Sequence, residues 1–119
     1  LLRVQVLRSR RAYNIDVFVG ILKLRFMLYD IHSLKEKRSL SQSFMRRIQN
    51  KFKVSLAEVD HLESLDELVL GFSLIGNEQR ILSAQMAKIE NFAEELGLAQ
   101  LCEAPRVIES YSSLGEKMS

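Results

Sequence analysis

From Val17 to Leu28 the chain alternates. Phe18, Gly20, Leu22, Leu24, Phe26 and Leu28 fall on one side, and Val17, Val19, Ile21, Lys23, Arg25 and Met27 on the other. A period of two over that length predicts a long strand that is central in its sheet. The period then lengthens: Leu34, Leu40, Phe44, Met45 and Ile48 recur at helical spacing. Ser33 stands three residues before Glu36, the spacing of a capping box, so the helix is expected to begin there. In that arrangement Ser33 accepts the backbone N–H of Glu36 while Glu36 reaches back to that of Ser33.

Alternation returns in KVSLAEVD, residues 53–60, a second strand, and after the polar turn HLESLD again in ELVLGFSLIG, a third. Asn77 offers an N-cap to a second helix, in which Ile81, Leu82, Gln85, Ile89, Phe92 and Leu96 give the 3.6-residue period and Gly97 a stop. LAQLCEAPRVIES reads as a last strand, where Pro105 removes a ladder donor and marks an edge or a bulge. The order β, α, β, β, α, β predicts an α+β ferredoxin-like sandwich: a four-stranded antiparallel sheet ordered 4-1-3-2 with two helices on one face.

A chain of 119 residues suits one domain with an ordinary core. Its bounds are expected at residues 16–110, after an N-terminal extension, 1–15, and before a small polar tail, 111–119. The extension is basic and irregular, and reads as an added strand, a disordered arm or translated sequence upstream of the true start. The lone Cys102 has no partner for an internal disulfide or a zinc knuckle, which fits a reducing, cytoplasmic setting. The longest apolar run, VFVGIL, ends at Lys23 and Arg25 and is too short for a membrane span.

The net charge of +2 conceals an asymmetry. Residues 1–53 carry 13 Lys or Arg against 3 acids, and residues 54–119 carry 4 against 12. Such a chain can pair its halves internally, steer toward a polyanion, or associate head to tail. Within the first helix and its exit, Lys35, Lys37, Arg38, Arg46, Arg47, Lys51 and Lys53 have Glu36 as the only interspersed acid. These seven are the candidate RNA-binding residues, since phosphate contacts from such a stripe give salt-sensitive, largely sequence-independent affinity. The competing interpretation is a solvated helix face, or one neutralised by the acidic half.

Catalytic material is sparse. His32, Asp60 and His61 are read as turn and cap residues, because a general acid or base needs a partner that tunes or orients it. Two histidines without HxH, HxxxH or CxxC spacing make no metal site, and Gly20, Gly71, Gly76, Gly97 and Gly115 form no phosphate-cradling loop. No enzyme, no cofactor and no metal is therefore expected.

If Leu22, Leu24, Leu70 and Phe72 face the helices, the opposite face of the sheet is aliphatic and without aromatics. RNA-recognition motifs place stacking aromatics at such central positions. An aliphatic face suits another protein surface, and a homodimer through Val17, Val19, Ile21, Val69, Ser73 and Ile75 is expected. The alternative is that one of the chain's own arms covers that face.

Together, FVGIL opening the first strand, HSLKEKRS entering the first helix, KFKVSLAEVDH and LGFSLIGNE resemble the YlxP-like bacterial proteins over roughly residues 17–100. HSLKEKR is the specific part. After Asp60-His61 that family often has a Gln-Asp-Leu-Trp run, where this chain has Leu62, Glu63, Ser64 and Leu65 and no Trp. The resemblance implies a ferredoxin-like cytoplasmic protein whose genes often lie beside those for ribosome-binding factor A and translation initiation.

The expectation is then a non-enzymatic module that binds structured RNA or the ribosome through the basic face of its first helix. Its rivals are a homodimeric interaction or structural domain without nucleic-acid binding and, more weakly, a small-ligand sensor.

Overall fold

The computed structural model describes residues 16–111. The expected N-terminal extension and all of the tail but Tyr111 lie outside them. Seven elements follow in order: β1 (Phe18–Met27), α1 (Leu34–Phe52), β2 (Ser55–Asp60), β3 (Glu67–Gly76), α2 (Gln79–Glu95), β4 (Gln100–Glu103) and β5 (Arg106–Ser110). This is an α+β fold with one antiparallel sheet. The strand order is β2-β3-β1-β4, with β5 also paired to β1; counted from the other edge, the path runs β4-β1-β3-β2.

The sheet differs from the expected four strands at its end. The single last strand is interrupted at Ala104 and Pro105, and β4 and β5 pair with opposite ends of β1. Pro105 has no N–H to donate, yet its carbonyl accepts the N–H of Lys23 at 3.0 Å. The register beside β1 shifts between Arg25 and Phe26.

Alternation along β1 and β3 builds the core. The β1–β3 register sets Leu22 opposite Phe72, Leu24 opposite Leu70 and Phe26 opposite Leu68, all buried on one face. Phe44 and Ile48 of α1 and Leu82, Met86, Ile89 and Ala93 of α2 join the same cluster, so both helices cover that face. The Phe26 and Phe44 rings lie 4.7 Å apart between centroids. Each such side chain contributes about 1.5–3 kcal/mol by leaving water. The end of the Met86 side chain of α2 occupies the space that a Cβ at Gly20 would take. The buried stripe of α2 is also set differently from expectation: Met86 and Ala93 are in the core, while Ile81 is 50% exposed.

The helix ends are largely as read. Ser33 Oγ accepts the N–H of Glu36 at 3.1 Å, but Glu36 Oε1 accepts that of His32, at 2.9 Å, one residue earlier than a capping box requires. At the other end Lys53 takes a left-handed conformation, φ 52, and its N–H reaches the carbonyl of Gln49. That turn delays β2 to Ser55. Helix α2 is capped by Glu78, without a side-chain bond, and not by Asn77. Gly97, at φ 64, follows its end as expected. Among the described residues no helix is long and apolar enough to cross a membrane.

Candidate functional site

Most of the basic residues of α1 point outward, but Lys37 does not. Its side chain is 1% exposed, its Nζ lies 3.2 Å from Glu58 Oε2 on β2, and it donates to the backbone carbonyl of His61. Ser41 Oγ, also buried, donates to Glu58 Oε1 at 3.1 Å. Glu58 Oε2 keeps the ammonium as its counter-charge without the alignment of a hydrogen bond. The expectation that Lys37 belongs to the solvent-facing stripe is thus corrected: it fastens α1 to the end of β2. Spacing could have shown this, since residues 37, 41, 44 and 48 share one helix face; the polar types of the first two concealed it.

Lys35, Arg38, Arg46, Arg47, Lys51 and Lys53 are exposed. Among the described residues none of Lys35, Arg38, Arg46, Arg47 and Lys53 enters an ion pair. Four acids of the second half pair with cations outside α1: Glu67 and Glu103 with Arg25, Glu78 with Arg80, and Glu90 with Arg106. Lys51 lies over the Phe92 ring of α2, 4.9 Å from its centroid.

On the uncovered face of the sheet Ile21 is 46% exposed, Ile75 72% and Val107 of β5 52%. Val17 and Val19 are half-buried and Ser73 is exposed. Val69 departs from the expected interface set. It is buried, yet outside the helix-side core, and its cross-strand neighbours Arg25 and Asp60 belong to a group of charges. A groove of ≈ 300 Å³ beside it is lined in part by Ile21, Ala57, Val59 and Gly71. Gly71 leaves room for Val59 there, since an added Cβ would stand 2.8 Å from Val59 Cγ1.

That charged group joins residues from four places in the chain. Arg25 Nη1 bonds Glu67 Oε1 and Arg25 Nε bonds Glu103 Oε1, each at 3.1 Å. Hydrogen bonding by Glu103 first and Glu67 second holds the Arg25 guanidinium above its ordinary pKa. His61, in a left-handed turn at φ 52, has its Nε2 3.9 Å from Glu67 Oε1 and 4.0 Å from Asp60 Oδ2, and its N–H bonds Asp60 Oδ1. Asp60 and His61 thus close the turn after β2, with the His61 carbonyl supplying the Lys37 acceptor. His32 is exposed, and its backbone N–H serves the start of α1. Among the described residues no group of three His, Cys, Asp or Glu is placed to hold a metal ion.

Two further hollows were not legible in the sequence. One, ≈ 490 Å³, opens where β3 outruns β2, between residues that include Val19, Lys53, Ile75 and Gln85. The other, ≈ 270 Å³, lies between α1 and α2 and is lined by Lys51, Phe52, Lys88, Asn91, Phe92 and Glu95. Neither could be read from one element's periodicity, because each is assembled from several.

Comparison with known proteins matches residues 19–106 to a family model described as "Protein of unknown function (DUF503)". The chain is also similar to the "Uncharacterized protein YlxP" of Bacillus subtilis (strain 168), 29% identical over 80 residues, covering 64% of this chain and 87% of that one.

Proposed function

The chain belongs to the DUF503 family, and we propose that it is a non-enzymatic, cytoplasmic module that binds structured RNA, ribosomal RNA included, through the outward face of α1. The carrying observation is that Lys35, Arg38, Arg46 and Arg47 stand exposed on one helix with no ion pair among the described residues. A cationic surface left uncompensated gains affinity for a polyanion by releasing counterions from its phosphates. The translation-linked part of the reading rests on the gene neighbourhood that the resemblance to YlxP-like proteins implies. The ferredoxin-like assignment is supported by the two central strands, β1 and β3, and by both helices lying over one sheet face.

The test is co-sedimentation with ribosomes, with filter binding to structured RNA over a range of salt. Changing Arg38, Arg46 and Arg47 together to Gln is expected to weaken binding across unrelated sequences. It should also flatten the salt dependence by roughly 0.7 to 0.9 in slope for each phosphate contact removed. His32→Ala should change neither. Absence of binding by the wild-type chain at low salt would end this reading.

A second reading, a homodimer through the uncovered sheet, is favoured by the exposed aliphatic side chains of Ile21, Ile75 and Val107. It uses the face opposite the helices, so the two readings are compatible.

A further inference from the structure

The groove between α1 and α2 combines an aromatic ring with cations contributed by both helices. Phe92 of α2 is half-buried and meets Phe52 of α1 at 5.6 Å between ring centroids with an interplanar angle of 74°. The ammonium of Lys51, an exposed side chain, lies over the Phe92 ring, so a ring face is open to whatever displaces that cation. Lys88, one turn before Phe92 on the same helix, is exposed and in no ion pair among the described residues. Asn91 and Glu95 complete the rim. Lys51 in turn stands one turn beyond Arg47, which makes the groove continuous with the basic face of α1.

We infer that this groove seats one unpaired base of a structured RNA on the Phe92 ring, with Lys51 and Lys88 taking the flanking phosphates. The inference rests on the RNA-binding reading above and names the part of the RNA engaged. Lysines alone attract paired and unpaired strands alike, since both present phosphates. A phenyl face discriminates, because a base buried in a duplex stack cannot be offered to it, whereas a loop or bulge nucleotide can. The Lys51 ammonium is displaced from the ring by the base and moves to a phosphate oxygen, exchanging a weak cation–π contact for a charge-assisted hydrogen bond. Asn91 can donate to and accept from a base edge, and Glu95 can accept from an exocyclic amine. The outward residues of β1 and β3, Val19, Ile21, Lys23, Arg25, Ser73 and Ile75, include no aromatic, so these central-strand positions offer no ring for stacking in the manner of RNA-recognition motifs.

The experiment compares a hairpin RNA carrying an unpaired loop with a blunt, fully paired duplex of equal phosphate number, by fluorescence anisotropy of the labelled RNAs. The wild-type chain should prefer the hairpin. Phe92→Leu, which keeps an apolar side chain but no π-face, should weaken hairpin binding about ten-fold and leave duplex binding unchanged. Arg46→Gln with Arg47→Gln should weaken both RNAs alike. As an independent measurement, 4-thiouridine placed in the loop should cross-link wild-type protein to the peptide containing Phe92. No preference by the wild-type chain, equal binding by Phe92→Leu, or cross-links confined to other peptides would each overturn the groove while leaving the α1 reading standing. Binding to neither RNA at low salt removes both.

Discussion

The ammonium of Lys37 stands 3.2 Å from the carboxylate of Glu58, joining the first turns of α1 to the last residues of β2 in a pair whose lysine side chain is 1% exposed. The most specific segment of the chain, HSLKEKR, therefore uses its second lysine as a structural tether. Removing one partner of such a pair leaves a buried charge uncompensated, which typically costs more than the pair itself contributes. Lys37→Met is expected to lower stability by about 3 kcal/mol, whereas Lys37→Met with Glu58→Leu recovers most of it. Urea denaturation of the two variants checks this; equal losses in both would mean that the lysine acts through packing alone.

The cap of α1 has two contacts of unequal reach. Ser33 Oγ serves the Glu36 N–H inside the helix, while Glu36 serves the His32 N–H outside it. Ser33→Ala should cost about 1 kcal/mol and Glu36→Ala measurably less. An unchanged midpoint for Ser33→Ala in the same denaturation series would place the start of the helix elsewhere.

Lys53 holds a left-handed backbone, φ 52, at the exit of α1, where a side chain crowds the following carbonyl and glycine does not. Lys53→Gly is therefore expected to raise stability by about 0.5 kcal/mol, the relief being partly offset by the freer unfolded chain. Lys53→Ala should give no gain. The check is a rise in the denaturation midpoint at constant m-value, and a fall with glycine would contradict the strain argument.

On the uncovered sheet face, Ile21 and Ile75 are the exposed aliphatic positions of the two central strands. Ile21→Glu with Ile75→Glu should shift a dimer to monomer in sedimentation velocity while leaving circular dichroism intact, since neither side chain belongs to the helix-side core. A wild-type chain that is monomeric throughout the accessible concentration range would remove the homodimer.

The sequence by itself determined the elements and the inward face of each central strand. A period of two along β1 and β3 can be satisfied only by burying Leu22, Leu24, Phe26, Leu70 and Phe72 together. Ser33 and Gly97 marked helix ends because their chemistry acts within a few residues. Six of the seven basic candidates were also legible, since one helix carries or ends at them and its own apolar stripe points them outward. What stands opposite a residue was decided only by the tertiary structure. Periodicity placed Lys37 on a helix but could not supply Glu58 as its counter-charge, nor surround Val69 with charged neighbours, nor split the last strand across the two ends of β1. Lys88 and Phe92 joined the basic surface for the same reason: a groove between two helices belongs to neither of them, and its chemistry exists only once the core has fixed how they pack.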